Sequence, residues 1–299
     1  MKLAILLAEA CRVKHWIKNL LILFPAFFVN QIFSHEVLMR MLPALISFSL
    51  VASAVYLIND IRDVENDRRH PVKCNRPIAS GAVSMRMAWV AAAFLVLTGL
   101  VLTWFASSPK LAGVVLVMYL LANVGYSLGL KDKAIVDVFI LASGFVFRIF
   151  YGGFYFSIPI SSWLFLCVFS AALYFALGKR KNECKKYKSG GSTRPVLSSY
   201  SIGFLSAHYY LCCALTIIFY CLWTITRTDQ ASVGKLALAI PFMVFILFRY
   251  NLIVESADSD ADPVPTFLHD KWLVFASAMF LLINFAILYF GEYMARITY

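Results

Sequence analysis

Charge is scarce in this chain. Asp, Glu, Lys and Arg make up 14% of its 299 residues, roughly half the share of a soluble domain. A globular exterior built from so few charged groups would not stay hydrated, so soluble one- and two-domain enzymes are excluded first. Paired cysteines are also missing. None of Cys11, Cys74, Cys167, Cys184, Cys212, Cys213 and Cys221 forms a C-x-x-C motif, which excludes a disulfide framework and a zinc pattern. The opening MKLAILLAEACRVKHW is too short, and too polar at its far end, for a cleaved signal peptide; it reads as an amphipathic N-terminal segment. What abounds is apolar: 61% of residues are hydrophobic and the mean hydropathy is +0.77. The expected class is a polytopic membrane protein with no room for a large soluble domain.

Apolar runs of spanning length recur at 20–33, 40–58, 88–106, 110–128, 135–152, 161–178, 207–226, 235–252 and 271–290. Several reach the ~20 residues that hydrocarbon requires. The first is short and contains Pro25. The runs are continuous and not alternating, so they read as nine helices and not as a barrel. Of 27 Lys and Arg, 21 fall in 1–19, 59–87, 129–134, 179–206 and 249–271; five lie in the alternate segments, and Arg148 lies inside a span. The positive-inside rule places the first set and the N-terminus in the cytoplasm, and nine crossings put the C-terminus outside. The net charge of +11 is thereby assigned to membrane topology, and no nucleic-acid partner is expected. Thirteen of the sixteen acids lie on, or at the edge of, the same side. Topology does not require acids there, so chemistry is expected at the cytoplasmic face of an inner (cytoplasmic) membrane. Exposed apolar helices permit a homo-oligomer.

After the second run, Asp60, Asp63 and Asp67 are spaced i, i+3, i+7, beside Asn59. If the span continues as a helix, the three carboxylates share one face. They repel one another unless a cation holds them, and Mg²⁺ bound through phosphate substrates suits such hard oxygen ligands. A Mg²⁺-chelated diphosphate is the natural ligand. The plain alternative is a solvated loop balanced by Arg62, Arg68 and Arg69. Lys73 and Arg76, just before Pro77, could face the same phosphates or simply anchor the loop.

The order N-D-x-x-D-x-x-x-D, then K-x-x-R-P-I-A-S-G, resembles the UbiA superfamily of membrane polyprenyl transferases. The resemblance implies an all-α fold of nine transmembrane helices around a central cavity open to the cytoplasmic side, with 1–299 as a single transmembrane domain. It implies Mg²⁺ as cofactor, held by Asn59, Asp60, Asp63 and Asp67, with the three aspartates as the catalytic set. Aromatic prenyltransferases of the superfamily carry a second aspartate motif after span six. Here that stretch is Gly178-Lys179-Arg180-Lys181-Asn182-Glu183-Cys184-Lys185-Lys186, basic with one acid.

Further motifs resemble the decaprenyl-phosphate phosphoribosyltransferase branch. Arg12-Val13-Lys14-His15-Trp16-Ile17-Lys18-Asn19 is similar to its R-P-x-Q-W-x-K-N, departing at Val13 and His15. Tyr126-Ser127-Leu128-Gly129-Leu130-Lys131, Asp137, Ser143-Gly144-Phe145-x-x-Arg148 and Gly178-Lys179-Arg180-x-x-Glu183 also match. Leu197-x-x-Tyr200, Arg249-Tyr250, the acidic stretch Glu255–Asp262 before Pro263, and Asp270 match more loosely. The substrate-binding set so implied is Lys18, Asn59, Lys73, Arg76, Tyr126, Lys131, Asp137, Arg148, Lys179, Arg180, Glu183 and Tyr200. The implied reaction moves 5-phosphoribosyl from phosphoribosyl diphosphate to a polyprenyl phosphate and releases pyrophosphate, for cell-envelope glycan precursors. An arginine in a span costs at least ~2.5 kcal/mol, so Arg148 is expected to meet a bound phosphate or a partner on another helix. Asp137, eleven residues earlier, is about 16 Å away along a helix and too far to be that partner. The rival readings are an isoprenoid transferase to an aromatic acceptor, which predicts the second acidic motif, and a membrane transporter, which predicts repeated halves.

Overall fold

The computed structural model of the protein describes residues 2–106, 110–188, 195–227, 234–256 and 263–297. Every regular element among them is helical. Helix α1 covers Lys2–Ala10, and a 3-10 run over Val13–Leu23 leads into α2, Phe24–Phe28. There follow α3 (His35–Arg62), α4 (Val64–Arg68), α5 (Met85–Ala106), α6 (Leu111–Ser127), α7 (Val136–Tyr155) and α8 (Ser162–Lys188). The last are α9 (Ile202–Ile225), α10 (Ile240–Glu255), α11 (Pro263–His269) and α12 (Lys271–Ile297). Among the described residues, seven helices are long and apolar enough to cross a membrane: α3, α5, α7, α8, α9, the run Lys235–Glu255 that contains α10, and α12. The protein is therefore a multi-pass membrane protein of all-α class. Helix α6 is apolar but only 17 residues long, about 25 Å against a hydrocarbon layer of about 30 Å.

Two expectations change. The first apolar run is not one long helix. Pro25 has no N–H to give to the Leu21 carbonyl; the Phe24 N–H bonds that carbonyl in the tighter 3-10 manner, and Pro25 sits in the first turn of α2, where its missing donor costs nothing. Second, the basic stretch after run six is not a loop. Helix α8 continues to Lys188, built from Lys, Arg and Glu, which are good helix formers, and tied at i, i+3 by an Arg180–Glu183 ion pair. Hydropathy fell at Gly178 because the helix leaves the apolar layer, not because it ends. The rest of that segment, 189–194, lies outside the described residues, as do 257–262 of the acidic stretch.

The contacts divide the chain into two compact units. One comprises 1–26, 31–133 and 147–159. Its core packs Phe48, Val51 and Val55 of α3 against Leu116 and Tyr119 of α6 and Tyr151 of α7, all buried. Ser34 caps α3, its Oγ accepting from Val37 N–H, and the Ser47 hydroxyl meets the Tyr151 hydroxyl at 2.7 Å within the apolar layer. A Cβ on Gly152 would lie 1.9 Å from the Ile22 carbonyl oxygen, so only glycine lets the 3-10 run approach α7 this closely. The other unit comprises 27–30, 134–146 and 160–299. There α8 packs along α9 and α10 along α12, and the Tyr174 and Tyr209 rings stack 4.6 Å apart.

Candidate active site

The acidic residues of the first unit sit at a break in the chain direction. Helix α3 ends at Arg62, Asp63 has φ −94° and ψ 5°, and α4 starts at Val64. The three carboxylates therefore do not share one helical face, as a continuous span would have arranged. Asp60 and Asp67 converge, buried at 3% and 4% exposure, while Asp63 turns elsewhere. One nitrogen, Arg76 Nη1, donates to Asp60 Oδ1 at 3.1 Å and to Asp67 Oδ2 at 2.6 Å. Asp60 Oδ1 also accepts from Arg12 Nη2 at 2.6 Å. Asp63 forms an ion pair with Lys131 and accepts from Asn59 Nδ2 at 3.3 Å; Asn59 Oδ1 in turn accepts from the Ser127 hydroxyl at 3.2 Å. Gly129, at φ 128°, makes the turn after α6 that swings Lys131 onto Asp63. That backbone region is one that L side chains rarely adopt.

Among the described residues no three His, Cys, Asp or Glu side chains stand close enough to ligate one ion. A site for a divalent cation nevertheless fits. Asp60 and Asp67 both reach one cationic nitrogen, and Mg²⁺ needs only one or two carboxylates when substrate phosphates and water complete its shell. The Lys73 segment is a short 3-10 turn whose N–H groups at Val72 and Lys73 donate to His70 Nδ1. Burial, and then the Lys73 charge, push His70 below its ordinary pKa.

Arg148 is buried at 5%. Its Nε donates to Asn19 Oδ1 at 2.8 Å, and its guanidinium lies over the Phe48 and Tyr119 rings. Asn19 Nδ2 donates to Ser49 Oγ at 2.7 Å. One partner of this arginine is thus an amide on the 3-10 run. Lys18 and Tyr126 are half-buried in the same unit.

The second unit holds a different cluster. Arg180, fully buried, donates from Nε to Asp137 Oδ2 at 2.5 Å and pairs with Glu183. Tyr200 donates to Asp137 Oδ1 at 2.6 Å and accepts from Ile135 N–H at 2.6 Å. Burial, with that bond to Asp137, pushes the Tyr200 hydroxyl well above its ordinary pKa. Arg180, expected to face phosphate, is paired with two carboxylates within the fold, Asp137 and Glu183. Lys179 is half-buried one position earlier. Lys181 is nearly buried, pairs with Glu255 and lies over the Tyr210 ring. Arg249 donates to Asp270 at 2.7 Å, and that pairing holds Asp270 below its ordinary pKa.

Two groups escaped the sequence reading. Arg12 has no assigned role in the sequence motifs, yet it bonds the Asp60 carboxylate. Lys181 reads in the sequence as one more charge of a basic run, yet it is buried and paired with Glu255.

The fold and the site define a multi-pass helical membrane protein that holds two buried, arginine-bridged aspartates at the end of a membrane helix. The model of the UbiA prenyltransferase family matches residues 20–268, and the chain belongs to that family. Within it, the chain is 35% identical over 270 residues to decaprenyl-phosphate phosphoribosyltransferase of Mycobacterium tuberculosis, covering 89% of this chain and 88% of the relative. It is 32% identical over 272 residues to the enzyme of the same name from Corynebacterium glutamicum, covering 89% of this chain and 81% of that one. Its fold is similar to that of a UbiA homologue from Archaeoglobus fulgidus bound to GPP and Mg²⁺, with a TM-score of 0.72 at 18% identity over 95% of this chain and 99% of that one.

Proposed function

We propose that this protein transfers 5-phosphoribosyl from phosphoribosyl diphosphate to a polyprenyl phosphate, releasing pyrophosphate, in the supply of cell-envelope glycan precursors. The observation that carries the reading is the 35% identity to decaprenyl-phosphate phosphoribosyltransferase over nearly the whole length of both chains. The basic character of residues 179–188 supports it over isoprenoid transfer to an aromatic acceptor. The one acid there, Glu183, is engaged by Arg180, so no second acidic clamp stands at that place.

Asp60 and Asp67 would hold Mg²⁺, with Asp63 and Asn59 beside them; the ion supplies neutralisation of the diphosphate as it leaves. Arg76 and Lys131, already drawn to these carboxylates, hold the donor's phosphate oxygens. Lys18 and Lys73, half-buried in the same unit, add positive charge for the remaining phosphates, and Tyr126 offers a hydroxyl near Ser127. The lipid phosphate is an anion at neutral pH, so its oxygen attacks the ribose C1 without a strong general base. The protein's contribution is alignment and charge neutralisation. Lys179 serves an incoming phosphate group, while Asp137, Arg180, Glu183 and Tyr200 fix the helix that carries it. Arg148 orders the 3-10 run through Asn19.

We further read 1–299 as one transmembrane domain with nine crossings around a cavity open to the cytoplasm. The 3-10 run with α2, and α6, supply the two crossings that are not long helices. The N-terminus is cytoplasmic, in the inner membrane, and a homo-oligomer is compatible with the many exposed apolar side chains. The test is a transfer assay with purified protein, Mg²⁺, polyprenyl phosphate and phosphoribosyl diphosphate labelled in the ribose. Label entering the lipid phase, and lost on chelation, is expected. Label confined to water over several lipid lengths would sink the reading.

A further inference from the structure

Arg12 stands apart from the other cations of the acidic site because its own backbone is bent into a left-handed conformation to deliver it. Its backbone is left-handed, at φ 50° and ψ 49°, a conformation unfavourable for a residue other than glycine that persists only where its surroundings hold it. What holds it is visible. Ser53 Oγ donates to the Cys11 carbonyl at 3.0 Å, and Trp16 Nε1 donates to the same Ser53 hydroxyl at 3.0 Å. The chain on both sides of Arg12 is thus pinned to α3, one end of that helix being Asp60. The guanidinium lies 4.7 Å over the Tyr56 ring, one turn before Asp60, and donates to the carboxylate at 2.6 Å. Its side chain is 25% exposed, against 4% for Asp60, so the arginine is the solvent-side member of the pair.

Asp60 already has a second cation in Arg76. Arg12 and Arg76 together balance the charge of Asp60 and Asp67, and only Arg76 is shared with Asp67. Arg12 can leave without stripping Asp60 of all positive charge. We propose that Arg12 is an exchangeable counter-ion: it occupies Asp60 while no divalent cation is present, yields that oxygen when one binds, and turns its guanidinium to an oxygen of the diphosphate that arrives with it. The planar fork over Tyr56 suits this, since rotation about the last torsions redirects the N–H groups while the ring contact persists. The inference rests on the diphosphate–metal reading of the acidic site.

The test separates metal from diphosphate. Arg12→Gly removes the guanidinium and leaves a residue that adopts φ > 0 freely; Arg12→Asn is the second choice if folding fails. Purified full-length protein is titrated with Mn²⁺ alone, reading free ion by its paramagnetic resonance, and then with inorganic diphosphate at fixed Mg²⁺, by calorimetry. Arg12→Gly is expected to bind Mn²⁺ about tenfold more tightly, because a competing cation is gone, and diphosphate about tenfold more weakly, because a donor is gone. Arg12→Lys retains the charge and should return Mn²⁺ affinity towards wild type. A purely structural Arg12 would move both affinities the same way or neither, and either outcome overturns the proposal, as does a wild type that binds no Mn²⁺. Inorganic diphosphate carries no ribose, so opposite shifts here combined with no phosphoribosyl transfer would refute the donor assignment and leave the exchange standing.

Discussion

At the scale of single residues, the acidic site separates carboxylates that look equivalent in the sequence. Asp63 is the most accessible of the three, with 21% of its side chain exposed, and its partners Lys131 and Asn59 have other contacts or solvent to fall back on. Asp63→Ala should therefore leave thermal stability within about 1 kcal/mol of wild type while lowering transfer at least about a hundredfold; a variant with near-normal label transfer would remove Asp63 from the site. Asp60→Asn should likewise reduce turnover, because the amide cannot neutralise Arg12 and Arg76 or a metal. His70 predicts a pH effect. Its folded pKa is held below the ordinary value near about 6.5, and its Nδ1 accepts two backbone N–H groups. The turn's stability is thus fully present above that ordinary value and is lost as pH falls through it, because the proton that the unfolded chain accepts is resisted by the folded one. Comparing melting temperatures at pH 8 and 5.5 should show a smaller drop for His70→Gln than for wild type. An equal drop would mean that His70 is not the titrating group.

Elements carry the next set of consequences. The Asp137–Arg180 pair joins α7 to α8 with both side chains fully buried. Asp137→Ala takes a carboxylate from a buried guanidinium and should destabilise by about 3–5 kcal/mol, whereas Asp137→Leu combined with Arg180→Leu should recover most of that loss. If the double variant is as unstable as the single one in a denaturation series, the pair is not acting as a buried ion pair. At the other close contact, Gly152→Ala drives a Cβ into the Ile22 carbonyl; backbone must move, and a cost of about 1–3 kcal/mol is expected. The sequence was informative about these elements where apolar length decided them, as in α3, α5, α9 and α12. It failed where polar residues continue a helix, as in Lys179–Lys188, and where a helix breaks between polar residues, as at Asp63. Hydropathy reports the solvent that a segment crosses, and backbone direction at a polar segment depends on partners that lie far away in the chain.

For the whole molecule, sidedness is the property that charge distribution forecasts most directly. A variant retaining only Cys74, half-buried in the turn between α4 and α5, should react with a membrane-impermeant thiol reagent in inverted vesicles and not in right-side-out ones. The reverse pattern would invert the assigned topology and place the acidic site on the wrong side for a water-soluble phosphoribosyl donor. The excess of Lys and Arg on alternate segments acts during insertion, before tertiary contacts exist, which is why it can be read without them.

Composition and apolar pattern settled the solvent and class of this protein: with 14% charge its solvent is lipid, where only helices or a closed barrel satisfy the backbone, and runs that do not alternate leave helices. The order of its polar motifs singled out the acidic residues and the family. Which charges meet was decided only in three dimensions. Asp60 shares Arg76 with Asp67 and takes Arg12 from 48 positions away; Arg148 finds Asn19; Arg180 finds Asp137. A charge leaving water must be matched within a few ångströms, and spacing along the chain says little about which distant residue will stand there.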